Sequence, residues 1–263
     1  MESTSELEGR VAWVTGGGSG IGRGIARRFL AAGCHVVITG RSADRLAQTA
    51  AELGGERVLP MPGDVGDETD VARIASEIET RFGRLDIGVN AAGAGSGGGL
   101  LDQTAESWSA TLRTNLDGVM FCIKHQAGAM VRAGRGGSIV NLSSIAGILT
   151  HRWMSAYCVS KAGVEMLTRC AADELGTHGI RVNALRPGLV PTELADPLVQ
   201  HDKLREDYQS RMPLGRLGTV ADIAEATFFL VGDGATWITG QVFGVDGGHT
   251  LRGGPNIDLL FES

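Results

Sequence analysis

The chain holds two tyrosines, and one of them stands in the run Tyr157-Cys-Val-Ser-Lys161. A tyrosine and a lysine four residues apart share one face of a helix. A phenol with a free pKa of about 10 transfers protons poorly at neutral pH. A lysine ammonium nearby favours the phenolate and brings that value toward the working range, so the pair reads as an acid–base unit. A second run, Thr15-Gly-Gly-Gly-Ser-Gly-Ile-Gly22, sets glycines at 16, 20 and 22, with Ser19 and Ile21 between them. Such a turn lets the backbone approach a pyrophosphate, whose charge then meets a helix N-terminus. A third run is Thr39-Gly40-Arg41. Gly40 stands where an acidic side chain would grip the ribose 2′-hydroxyl of NAD, and Arg41 offers a fork for a 2′-phosphate. The expected cofactor is NADP, with NAD as the alternative. Four cysteines (34, 122, 158, 170) and six histidines show no ligand spacing, so no metal site is expected.

These groups need a scaffold, and the hydrophobic pattern supplies it. Short apolar runs at 10–15, 35–39, 57–61, 85–90, 137–142, 180–185 and 242–245 predict strands. Helical spacing predicts helices over 21–32, 44–53, 67–82, 106–133, 156–175 and from a cap at Thr219 to about Val231. Strands alternating with helices give a doubly wound parallel α/β sheet of about seven strands, with helices on both faces. The glycine turn joins the first strand to the first helix, and Tyr157 opens the helix after the fifth strand. Both lie at the carboxyl edge of the sheet, where ligands bind in such folds. No linker or repeat interrupts residues 1–263, so one Rossmann-type domain is expected.

Over nearly its whole length the chain resembles the short-chain dehydrogenases/reductases. The matching segments, in order, are Thr15 to Gly22, Asp64-Val65, Asn90-Ala-Ala-Gly93, Asn115, Asn141-Leu-Ser-Ser144, Tyr157 to Lys161, Arg186-Pro-Gly188 through Thr192, and Asp246-Gly-Gly248. The resemblance implies that Tyr157 is the general acid/base and that Lys161 tunes it and holds the nicotinamide ribose. It selects Ser144 over Ser143 as the group that hydrogen-bonds the substrate oxygen. Asn115 would hold a water that links Lys161 to solvent. Asp64, with Val65 beside it, would bond the adenine, and Asn90 and Gly93 would floor the adenine ribose. Gly16, Ser19, Gly20, Ile21 and Gly22 would cradle the pyrophosphate. Pro187, Gly188, Val190 and Thr192 would frame the nicotinamide. Ala91 departs from the family pattern, which has a second Asn there; a small loss of loop hydrogen bonding is expected.

The implied reaction is hydride transfer between NAD(P) and a ketone or secondary alcohol. Two segments should shape the substrate site, 148–154 and an amphipathic lid at about 189–214. Leu149, Trp153 and Met154, with Leu194, Leu198, Leu204, Tyr208 and Met212 of the lid, suggest a mainly apolar pocket. A 3-oxoacyl thioester reductase is the alternative; it would need a basic docking surface, for which Arg132 and Arg135 are the local hint. A non-catalytic dinucleotide-binding protein is the alternative of a different class. The net charge of −6 and pI near 5.5 argue against a nucleic-acid partner. No apolar run reaches membrane-span length, and the polar start is not expected to act as a signal peptide. A cytoplasmic protein is expected. Apolar residues on more than one face of helices 106–133 and 156–175 lead to an expected homotetramer. The tail 249–263 carries Ile257, Leu259, Leu260 and Phe261, and is expected to pack on a neighbouring subunit.

Overall fold

The computed structural model describes residues 7–252. Seven strands form one sheet: β1 (Val11–Thr15), β2 (His35–Gly40), β3 (Val58–Pro62), β4 (Ile87–Asn90), β5 (Gly137–Leu142), β6 (Ile180–Pro187) and β7 (Val242–Val245). All are parallel, in the order β3-β2-β1-β4-β5-β6-β7. The order reverses between β1 and β4, which opens a crevice at their carboxyl ends.

The helices are α1 (Gly20–Ala31), α2 (Ala43–Glu52), α3 (Glu68–Phe82), α4 (Ala105–Leu112), α5 (Gly118–Ala133), α6 (Ser155–Leu175), α7 (Asp196–Val199), α8 (Asp202–Arg211) and α9 (Val220–Val231). Side chains alternate across each buried strand, so each face has its own core. Ala12, Val14, Val36, Ile38, Val140 and Leu142 pack with Ile25 and Phe29 of α1 and with Ile223 and Phe228 of α9. Trp13, Val37, Ile139 and Val182 pack on the other face with Ile74 and Ile78 of α3, Ile123 of α5 and Val164 of α6. Thr219 caps α9 in a reciprocal box with Asp222.

One expected element is broken. The helix predicted over 106–133 is α4 and α5 joined by a π turn at Arg113–Asp117. Such a turn pairs i with i+5 and widens the backbone locally. It sits at Asn115, whose side chain is fully buried. The tail residues 253–263, with Ile257, Leu259, Leu260 and Phe261, lie outside the described residues. His249–Leu251 form a single short 3-10 turn.

Candidate active site

The glycine turn sets the start of α1 against the ends of β1 and β4. Gly16 has φ +68°, and a Cβ on Gly22 would lie 2.3 Å from the Gly16 carbonyl oxygen, so the helix can approach the turn only without a side chain. Ser19 stands at the N-cap in extended conformation, yet its side chain makes no capping bond, and the first turn of α1 carries no acid. The first amide N–H groups of this helix therefore point outward, with the positive end of the helix dipole behind them. A pyrophosphate fits that donor set. Arg41 is exposed at the end of β2 and makes no hydrogen bond or ion pair among the described residues.

A cavity runs from this turn to the catalytic pair. It is lined by Ile21, Gly93, Ser144, Tyr157, Lys161, Pro187, Gly188, Val190 and Thr192, together with Met154, Leu194 and Leu198. The first nine of these, which the motifs singled out, come from five separate stretches of sequence. Gly16, Ser19, Gly20, Gly22, Arg41, Asp64, Val65, Asn90 and Asn115 do not line it. Among these, Gly20 touches the rim, since a Cβ there would meet Thr192 at 3.3 Å.

Three side chains are engaged differently from the expectation. Asn90 is buried in an amide cluster: it donates to Asn141 Oδ1 at 2.8 Å and accepts from Gln126 Nε2 at 3.0 Å. It braces β4 against β5 and α5. One Asp64 oxygen accepts from the Gly66 amide at 2.9 Å in a local turn, which leaves its second oxygen for a ligand. Asn115 clamps the loop after β4. Its Oδ1 accepts from Ala94 N at 2.7 Å, its Nδ2 donates to Ala94 O at 2.9 Å, and Ser160 lies 3.3 Å away. The Asn115 side chain is thus spent on Ala94.

Ser144 and Tyr157 both face the cavity, and Ser144 Oγ accepts from the Ala146 amide at 3.2 Å. Lys161 Nζ lies 5.6 Å from the Tyr157 ring centre and donates to the Leu142 carbonyl at 2.8 Å. Burial pulls the lysine down to about 8. Burial also pushes the tyrosine above its ordinary value, more than the neighbouring Ser144 hydroxyl lowers it. Desolvation penalises the charged form of both groups, and the ammonium is turned to the Leu142 carbonyl. At neutral pH the arrangement is a protonated phenol beside a serine hydroxyl. That suits proton donation to a carbonyl oxygen.

The substrate end also departs from expectation. Trp153 has φ +69° and is 61% exposed; it lies over the loop at Gly99, outside the cavity, as does Leu149. In their place the cavity takes His151 and Tyr208. Tyr208 is on the lid helix α8, its ring 6.4 Å from His151 and 5.4 Å from His249. The sequence marks it as an apolar member of the expected lid, with Leu194 and Leu198, and all three line the cavity. No group of His, Cys, Asp and Glu fit to hold a metal occurs among the described residues, and no described helix is long and apolar enough to cross a membrane.

A family model described as enoyl-(acyl carrier protein) reductase matches residues 16–250. The chain is 37% identical to the 3-oxoacyl-(acyl-carrier-protein) reductase of Thermotoga maritima, covering 93% of this chain and 99% of that one. It is likewise 37% identical to the NADP-dependent (R)-specific alcohol dehydrogenase of Lentilactobacillus kefiri, over 95% and 100%. A short-chain dehydrogenase/reductase structure from Mycobacterium ulcerans superposes with a TM-score of 0.91 at 42% identity, covering 98% of this chain and 95% of that one. With its parallel sheet, its glycine turn and its Ser144, Tyr157 and Lys161 on one cavity wall, the chain belongs to the short-chain dehydrogenase/reductase family of NAD(P)-dependent oxidoreductases acting on alcohol and carbonyl groups.

Proposed function

We propose that this protein interconverts a ketone and a secondary alcohol of mainly apolar character, with Tyr157 as the proton-transfer group and NADP as the preferred cofactor. The observation that carries the reading is the single cavity shared by Ser144, Tyr157 and Lys161 with Ile21, Gly188 and Thr192. The uncapped start of α1 would hold the pyrophosphate, Arg41 the 2′-phosphate, and Asp64 with Val65 the adenine. Gly93 would lie under the adenine ribose, and Pro187, Gly188, Val190 and Thr192 against the nicotinamide. When bound, the nicotinamide supplies or accepts a hydride at the substrate carbon. Ser144 donates a hydrogen bond to the substrate oxygen and steadies its developing charge. Tyr157 gives that oxygen its proton during reduction and takes it back during oxidation. Lys161, still largely an ammonium at neutral pH, supports the phenolate that forms and binds the ribose hydroxyls. Asn115 holds the loop after β4, and with it Gly93, in place through Ala94.

Residues 189–214, with α7 and α8, form the lid, and Leu194, Leu198 and Tyr208 carry its cavity face. The whole of 1–263 is read as one domain. Exposed Met120 and Val131 on α5, Val159 and Met166 on α6 and Phe229 on α9 support assembly into a homotetramer. Four unpaired cysteines support a reducing, cytoplasmic location. The thioester alternative loses part of its docking hint, because Arg132 is held by Glu79 in a two-pronged pair at 2.8 Å.

Nicotinamide absorbance with a panel of ketones and secondary alcohols, run with both cofactors, tests the reading. Tyr157→Phe should lower turnover on the best substrate by about 10² or more while cofactor binding persists. Wild-type turnover in that variant would refute the assignment.

A further inference from the structure

Behind the cavity wall lies an ion pair between Arg186, which opens one of the matching segments, and Glu165, which none of them includes. Glu165 follows Lys161 by one turn of α6 and is 4% exposed. Its Oε1 accepts from Arg186 Nε at 2.9 Å and its Oε2 from Arg186 Nη2 at 2.7 Å, a two-pronged charge-assisted pair. Ser143 Oγ lies 2.9 Å from the same Oε1 and 3.2 Å from the Lys161 carbonyl. Its one proton goes to the carboxylate, the charged acceptor. Gly147 completes the pocket for this group: a Cβ there would stand 2.4 Å from Glu165 Oε1 and 2.9 Å from Ser143 Oγ.

Each member of this cluster is the chain neighbour of a working group. Ser143 precedes Ser144. Arg186 precedes Pro187 and Gly188. Glu165 shares a helix face with Lys161, and so with Tyr157. We propose that Glu165 and Arg186 are positioning residues that lock the proton-transfer face of α6 to the serine loop and to the nicotinamide-facing end of β6, while presenting no net charge to Tyr157 and Lys161. The proposal rests on the assignment of Tyr157 as the acid–base group.

The pair's neutrality matters because it stands behind the face of α6 on which Lys161 meets Tyr157. Lys161 and Tyr157 face each other. Toward Tyr157, the loop after β5 brings Ser144 and His151, α6 brings Cys158, and α8 brings Tyr208. Toward Lys161, the π turn brings Asn115, and β5 brings the Leu142 carbonyl. Glu165 on α6 and Arg186 on β6 are the fixed charges beside this set, and they cancel. Removing one unmasks the other in a low-dielectric site. An unpaired Glu165 carboxylate disfavours the phenolate, and an unpaired Arg186 guanidinium favours it.

The presence of two tyrosines permits a test that needs neither substrate nor cofactor. In a Tyr208→Phe background Tyr157 is the sole phenol, and its ionisation can be followed by phenolate absorbance. Glu165→Gln should move that midpoint down by about one unit and Arg186→Met up by about one unit, and the double variant should return toward the parent. Arg186→Lys keeps the charge but loses the fork. It should leave the midpoint in place while lowering turnover about tenfold, through misplacement of Ser144 and Gly188. If Arg186→Met does not fold, the isosteric Glu165→Gln and the charge-conserving Arg186→Lys carry the test. Unmoved midpoints in folded Glu165→Gln would overturn the proposal and leave the pair a merely structural brace. Full turnover in Tyr157→Phe would instead overturn the acid–base assignment on which it rests.

Discussion

Replacing Lys161 by methionine should make the protein more stable at neutral pH while it destroys turnover. The side chain is 5% exposed and has no carboxylate at its Nζ; its one hydrogen bond among the described residues goes to the Leu142 carbonyl. Burial lowers the ammonium from 10.5 to about 8. At about 1.36 kcal/mol per unit, holding the charged form in the fold costs about 3 kcal/mol below that pH. Methionine has a similar length and no charge, but it abandons the Leu142 carbonyl at a cost of about 1–3 kcal/mol. The net gain near pH 7 is therefore at most about 2 kcal/mol. The sign of its pH dependence follows from linkage. In the folded state the amine binds its proton less tightly than in the unfolded state. The wild type thus gains stability on the variant as pH rises from about 8 to 10.5, and the advantage of methionine is gone above that window. Cys34 and Cys122, pushed up to about 12, and Tyr157, also pushed up, titrate alkaline too, but they occur in both proteins and largely cancel in the difference. Urea unfolding of both proteins at a series of pH values gives that difference directly. A difference that stays flat from neutral pH to about pH 10 would refute the reasoning, because Lys161 would then have its ordinary affinity for a proton.

Arg41→Ala should weaken NADPH binding about tenfold to a hundredfold and leave NADH nearly unchanged, as read by fluorescence titration of each cofactor; equal losses would remove the 2′-phosphate role. Gly22→Ala forces a Cβ onto the Gly16 carbonyl, which is backbone and cannot step aside. It should destabilise the fold by about 1–3 kcal/mol and weaken both cofactors together, checked by thermal unfolding with and without cofactor. Asn115→Ala leaves both backbone groups of Ala94 without their partner and should lower turnover about tenfold or more, with the loss seen in single-turnover rates rather than in cofactor affinity. Sedimentation at micromolar concentration should give a tetramer mass; a monomer would contradict the assembly reading.

The parts legible in the sequence are those decided within a few residues. Strands β5 and β7 fall where their apolar runs predicted, at Gly137–Leu142 and Val242–Val245. Thr219 caps α9 because a hydroxyl three residues before an acid satisfies the helix start locally. Tyr157 and Lys161 share a helix face because 3.6 residues make a turn. The glycine turn shows itself because only glycine tolerates both the positive φ at 16 and the backbone contact at 22. What the fold alone decided depends on neighbours distant in the chain. Helical periodicity runs almost unchanged through Arg113–Asp117, so the π turn appears only where Asn115 must reach Ala94. Asn90 turns from the crevice because Gln126 and Asn141, from α5 and β5, offer it a complete set of hydrogen bonds inside. Trp153, expected in the pocket, leaves it because its loop packs over Gly99 instead. Glu165 and Arg186, twenty-one positions apart, are ordinary charges in the sequence. They become a neutral, buried pair only because the end of β6 is laid against α6, and burial in that same core is what lifts Tyr157 and lowers Lys161.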